Sequence, residues 1–190
     1  MLTADFLSTK FDAAAHYHDY VKTGTDSQQD AWRKIYDQTA LSDRQRELLK
    51  SFTREMHILV VSGVWCGDCV QQCPFLARIA EENPEKIRLR FLDRDEHTDL
   101  AEQVQICAGM RVPLVLFLAE DFHFVSLLGD RTLTRYRAIA ARQLGPSCPV
   151  PGAPLDQDEA DATLQDWLDE IERVQLLLRL STRLRRKHND

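Results

Sequence analysis

The chain has 190 residues, 44% of them apolar, and a formal net charge of −6. That length holds one compact domain with additions, and the negative balance argues against nucleic acid as the main partner. No apolar run approaches a membrane span, and the start Met1-Leu2-Thr3-Ala4-Asp5-Phe6 lacks the basic-then-apolar pattern of a secretory signal, so a soluble cytoplasmic protein with no membrane partner is expected.

Residues 3–56 read as helical. Phe6, Leu7, Phe11, Ala14 and Val21 recur at helical spacing, and Trp32, Ile35 and Tyr36 form a second short stripe. Ser42-Asp43-Arg44-Gln45 is a capping box, followed on one face by Leu48, Leu49, Phe52 and Met56. Residues 1–56 are thus expected to be a helical N-terminal extension. Ile58-Leu59-Val60-Val61 is short, apolar and branched, the pattern of a buried strand. A helix is expected from Cys66 to about Asn83, ahead of Pro84, and Ile87, Leu89 and Phe91 alternate as a second strand. Thr98 can cap a helix carrying Leu100, Val104 and Cys107. Pro113 to Leu118 reads as a third strand, Glu120-Asp121 as a turn, and Phe124 to Leu128 as a fourth strand ending at Gly129. Leu133, Tyr136, Ala140 and Leu144 mark a helix closed by Gly145-Pro146.

From 57 to 145 the order is therefore strand, helix, strand, helix, strand, strand, helix. A strand, crossover helix and second strand imply a parallel pair joined in the right-handed sense, and the last two strands suit a hairpin. The expected class is α/β: a mixed sheet flanked by helices. Residues 146–155 hold four of the seven prolines, a stiff linker. Beyond it, 156–190 reads as an amphipathic helix with Leu164, Trp167, Leu168, Ile171, Val174 and Leu178 on one face. Asp156 to Glu172 contains eight acids and no bases, Arg173 to Asp190 six bases and one acid, an order that complements the helix dipole. So long an apolar face must bury against something. The domain and its N-terminal helices are the expected cover; a homodimer is the second reading.

Trp65-Cys66-Gly67-Asp68-Cys69 lies where the first strand runs into a helix. Two cysteines at this spacing can close a small disulfide and reopen it. Cys66 falls at the helix start, where unpaired N–H groups and the dipole favour a thiolate, and Cys69, one turn inward, is placed to resolve a mixed disulfide. Gly67 is expected to keep the turn compact. Asp68 is expected to oppose the thiolate by like charge. Zinc is the competing use of this spacing, with Cys73 and either His57 or Cys107 completing a set. A second C-x-x-C, the usual companion in structural zinc sites, is missing. The odd count of five cysteines argues against a secreted disulfide framework and for a reducing compartment.

With its surroundings the motif resembles the thioredoxin-like superfamily, as a variant with Asp68 where proline is usual. Pro74 matches the proline of the active-site helix, Val112-Pro113 the cis-proline loop, and Gly129 the glycine lining the substrate groove. The resemblance spans about residues 50 to 145. It implies a thioredoxin fold in which Cys66 attacks, Cys69 resolves, Trp65 walls the substrate surface, and the Val112 backbone pairs with substrate like an added strand. The sequence departs from the family at Val60, where a buried aspartate serves proton transfer, and at Phe91, in place of a partner lysine. Asp68 or Asp93 is an alternative proton carrier; a solvated carboxylate is the plainer reading of each.

Other residues read more plainly. Cys73 and Cys107 are expected in the core, as are Trp32 and Trp167. Cys148 sits in the linker. His16 and His18 point different ways, and His57 and His123 are expected to be partly buried beside strands. The bases Arg183, Arg185, Arg186 and Lys187 are expected to form a solvated helix end. Two functions follow. One is a thiol–disulfide oxidoreductase acting on a disulfide-containing protein or a low-molecular-weight disulfide, fed by a reductase or thiol pool and needing no cofactor. The other is a redox sensor or binding module that docks a partner without general turnover.

Overall fold

The computed structural model describes residues 1–144 and 159–190. The N-terminal extension forms four short helices: α1 (Ala4–Ala13), α2 (Tyr17–Val21), α3 (Asp26–Gln38) and α4 (Asp43–Lys50). Thr25 and Ser42 close α3 and α4 with capping boxes, each hydroxyl taking the N–H of a glutamine that reaches back to the cap. Helix stops at Lys50, and Met56, expected on a helical face, opens strand β1 (Met56–Ser62), all of whose residues are buried. The stretch between them is pinned by Gln175, whose amide accepts from the Arg54 N–H at 2.9 Å and donates to its carbonyl at 3.0 Å. These bonds satisfy the backbone outside a helix.

β1 leads into α5 (Gly67–Glu81), then β2 (Ile87–Asp93), α6 (Thr98–Ala101) with a tight turn at Glu102–Val104, β3 (Leu114–Ala119), β4 (Phe124–Gly129) and α7 (Leu133–Leu144). The sheet order is β2-β1-β3-β4. β2 runs parallel to β1, β3 antiparallel to β1, and β4 antiparallel to β3. β1 and β3 are buried throughout, which explains their unbroken apolar runs. The expected α/β architecture, a mixed sheet flanked by helices, is the one observed.

The N-terminal helices are bound into this sheet. Ala15, between α1 and α2, pairs with Phe91 of β2 through N–H···O bonds of 2.9 and 2.8 Å, covering an otherwise open edge. Trp32 is fully buried, and its indole N–H donates to the Val64 carbonyl at 2.9 Å, directly ahead of the cysteine motif. Tyr17, Tyr20, Trp32 and Phe91 pack ring against ring beneath β2.

Several local expectations change. Thr98 is the first residue of α6 rather than its cap, and the helix ends before Cys107. Ile106 and Gly109 instead exchange backbone bonds of 3.0 and 3.1 Å, and Cys107 and Ala108 sit at φ 48° and 57° between them. The turn satisfies this backbone and leaves Cys107 exposed rather than in the core. His57 lies inside β1, buried, and His123 is exposed. The C-terminal segment is two helices, α8 (Glu159–Leu180) and α9 (Thr182–His188), broken where the Ser181 hydroxyl caps α9. α8 packs on α5 and α7, with polar links to Arg54, Thr53 and Gln45 of the extension. The basic end of α9 is exposed, as expected, and also makes surface ion pairs: Arg183 with Asp121, and Lys187 and His188 with Glu120, on the β3–β4 turn. Cys148 and the proline-rich linker lie outside the described residues.

Candidate redox site

The site forms where β1 runs out. After Ser62 the chain turns, with the Cys66 N–H bonded to the Gly63 carbonyl at 2.9 Å, and α5 begins. Cys66 is the N-cap residue of that helix, at φ −84° and ψ 124°, which sets its sulfur beside the free N–H groups of the first turn. Cys66 is half-buried, whereas Cys69 and Cys73, further along the same helix, are fully buried. Pro74 follows inside α5 and withholds the N–H that would bond the Val70 carbonyl.

Opposite Cys66 stands the loop before β3. The Val112–Pro113 peptide is cis. The Cys66 thiol donates to the Val112 carbonyl across 3.6 Å. Gly129 pairs with Leu114 just behind this loop. A Cβ there would stand 2.5 Å from the Pro113 carbonyl oxygen, so only glycine lets the end of β4 approach. Gly67 shows no such need: a Cβ on it would meet nothing within 4 Å. Its small size leaves open space beside the sulfur rather than tightening the turn. Trp65 is exposed, and the Arg94 guanidinium lies over its ring at 4.7 Å while donating to the Met110 carbonyl. The structure thus gathers Trp65, Gly67, Asp68 and the buried Val112 and Pro113 around Cys66.

The electrostatics depart from the sequence reading in two ways. The Cys66 thiol is pushed up, not down. Its hydrogen bond with the Cys69 thiol is the largest cause and burial the next, together outweighing the N–H groups of Cys69 and Asp68, which act to lower it. Burial likewise raises Cys69, opposed by hydrogen bonds from Cys66 and Ser62. The second departure is Asp68, which is not a solvated carboxylate. It pairs with Arg131, in the loop just before α7, at 2.5 Å and with Arg135, in the first turn of α7, at 3.1 Å, so much of its charge is answered before it reaches the sulfur.

Sequence reasoning missed this α7 rim. Arg131 also bridges to Asp130, which Arg111 approaches at 3.5 Å and to which the Tyr136 hydroxyl donates. Fully buried Gln72 fastens the loop to α5, donating to the Asp130 carbonyl and accepting from the Thr132 N–H. Arg131 and Arg135 stand four residues apart in the sequence, and their carboxylate partner, 63 residues upstream of Arg131, gives no local signal there. Among the described residues no group of three or more His, Cys, Asp or Glu is arranged to hold a metal ion.

A four-stranded mixed sheet that presents a C-x-x-C pair at a helix start, facing a cis-proline loop, defines the class: a protein of thioredoxin-like fold. The chain belongs to the thioredoxin family, whose family model matches residues 14–139. That match begins at the Ala14–Ala15 segment joined to β2, not at β1. No curated protein sequence matches the chain. Among solved structures it is similar to a protein of unknown function from Pseudomonas aeruginosa, at 20% identity and a TM-score of 0.67, over 87% of this chain and 93% of that one. It is also similar to the HIV epitope-scaffold 4E10, at 22% identity and a TM-score of 0.60, over 88% and 92% of the two chains. Both similarities extend well past the thioredoxin-like core, so the fold shared with them takes in much of the added helical structure.

Proposed function

We propose that this protein is a thiol–disulfide oxidoreductase that reduces protein or small-molecule disulfides through Cys66 and Cys69. The observation that carries the reading is the placement of the half-buried Cys66 sulfur at the α5 N-terminus, 3.6 Å from the Val112 carbonyl, with Cys69 sealed behind it. Deprotonated Cys66 attacks one sulfur of the substrate, whose other sulfur leaves as a thiolate and takes a proton from solvent. Cys69 then gives up its proton and attacks Cys66 Sγ, the bond from Cys66 to substrate breaks, and the second substrate sulfur leaves as a thiol. The Cys66–Cys69 disulfide is restored to two thiols by an electron-donating reductase or a thiol pool. Substrate backbone would pair with Val112 and lie against Trp65, and the open side of Gly67 leaves room for it. A cytoplasmic, reducing setting and an optional homodimer belong to the same proposal. The odd cysteine count supports the first, and the exposed Leu176, Leu177 and Leu180 on α8 the second.

One observation favours a second reading, a redox sensor with a dedicated partner: the thiol of Cys66 is held up rather than down, which slows attack on substrates at large. A redox titration in thiol buffers, with trapped cysteines mapped by mass and turnover measured on a model protein disulfide, separates the two. The expected result is a reversible Cys66–Cys69 bond with turnover lost in Cys66→Ser. A reversible bond without turnover moves the assignment to the sensor, and no bond between these cysteines refutes both.

A further inference from the structure

The resolving thiol of this chain is enclosed without a carboxylate. The family's aspartate position is Val60, fully buried and apolar. Two residues on, and therefore on the same face of β1, stands Ser62, also fully buried. Its Oγ lies 3.8 Å from Cys73 Sγ, and Cys73 stands one helical turn from Cys69 on α5. Ser62 is also within hydrogen-bonding reach of the Cys69 thiol. The remaining wall comes from the N-terminal extension. Tyr20 of α2 is 3% exposed and clamped between Phe91 and Trp32, with ring centroids 5.4 and 5.8 Å away. Its hydroxyl is buried without a hydrogen bond of normal geometry, and Ser62, Cys73 and Cys69 are among the groups near enough to act on it. A buried donor left idle costs stability, a cost that a second state of the site in which it is used avoids.

We propose that the hydroxyls of Ser62 and Tyr20 form a neutral hydrogen-bonding cradle that steadies Cys69 as it becomes a thiolate, so that helix α2 is a working part of the redox site. The inference rests on the oxidoreductase reading. Neither hydroxyl takes a proton from a thiol. Both instead donate to the sulfur while its proton passes to the departing substrate sulfur or, where that sulfur leaves as a stable thiolate, to solvent. The balance is that of the resolving step: a mixed disulfide on Cys66 and a Cys69 thiol become a Cys66–Cys69 disulfide and a free substrate thiol. Ser62 and Tyr20 act through Cys69 and are positioning residues. The titratable groups around them are Cys66, Cys69 and Cys73 on α5, Tyr17 on α2, and Asp93 at the end of β2, whose Oδ1 accepts from the Asp95 N–H at 2.8 Å.

The test is the two-phase reaction of the reduced protein, carrying Cys107→Ser and Cys148→Ser so that the exposed Cys107 and the linker thiol release nothing, with the aromatic disulfide 5,5′-dithiobis(2-nitrobenzoate), followed by released thiolate. The first equivalent reports attack by Cys66 and the second resolution by Cys69. In Tyr20→Phe and Ser62→Ala the first phase should keep its rate. The second should slow about tenfold, the rate equivalent of a hydrogen bond to a charged group, with its pH inflection moved upward. Ser62→Thr, which keeps the hydroxyl, should restore most of the second-phase rate. An unchanged second phase in both hydroxyl deletions overturns the cradle while leaving the exchange mechanism intact, and so does equal slowing of both phases, which marks a packing defect. Failure of the protein with Ser62 and Tyr20 intact to release a second equivalent overturns the exchange reading and the cradle with it.

Discussion

Gly129→Ala tests whether close approach of β4 to the cis-proline loop shapes the site. The added Cβ would stand 2.5 Å from the Pro113 carbonyl oxygen, 3.1 Å from Leu114 Cα and 3.2 Å from Leu114 Cδ1. Two of these three atoms are backbone and cannot swing aside. Bringing the shortest contact from 2.5 Å to a tolerable 3.0 Å or more opens the strand end by about 0.5 Å. Overpacking of this kind costs about 1–3 kcal/mol, and replacing a strand glycine with alanine returns about 0.5–1 kcal/mol, for a net loss of about 1–2 kcal/mol. With a urea dependence of roughly 2 kcal/mol per molar, the midpoint should fall by about 0.5–1 M. Pro113 carries the displacement to Val112, so disulfide turnover should fall by about tenfold, because reacting groups tolerate little misplacement. Urea melts of Gly129→Ala, read beside Gly67→Ala, provide the assay. Gly67 faces open space, and its variant should stay within about 0.5 kcal/mol of the parent in stability. A Gly129→Ala protein with the parent's midpoint and turnover would refute the packing argument.

Asp68→Asn removes the charge shared by Arg131 and Arg135, leaving two guanidiniums beside the first turn of α5. Thiolate absorbance at 240 nm should then show the Cys66 pKa lowered, with a stability loss of only about 1 kcal/mol, because Arg131 keeps Asp130 and Arg135 keeps Glu159 as partners; a pKa unchanged or raised refutes the electrostatic account. His57 is buried, stacks on Phe122 at 4.3 Å, and is held below the usual histidine range chiefly by burial. Below about pH 6.5 the unfolded chain takes up a proton that folded His57 resists. Its contribution is therefore full above that pH and is lost as pH falls toward the folded value. Urea midpoints between pH 7.5 and 5 should fall with acidification and fall less in His57→Leu, and equal slopes in the two proteins would count against it.

Much of the site was legible because its signals are local. The apolar run at β1, the C-x-x-C spacing, Pro74, Val112-Pro113 and Gly129 each constrain a few neighbouring residues, and short-range sterics and hydrogen bonding act at that range. Local periodicity misled where a longer contact took over the backbone. Met56 continues a helical stripe from Leu48, but β2 and β3 offer it a ladder on both sides. Cys107 continues one from Leu100, but the Ile106–Gly109 turn closes first.

By itself the sequence determined the order of strands and helices, the redox-capable pair and the loop that faces it. Tertiary structure alone decided the chemical surroundings of that pair. Asp68 meets Arg131 and Arg135, and Tyr20 stacks on Phe91 from a helix more than forty residues upstream of Cys66, each through contacts between segments far apart in the chain. Charge, burial and hydrogen bonding at a sulfur are sums over everything that packs against it. Those sums exist only once the N-terminal helices and α7 have closed around the sheet.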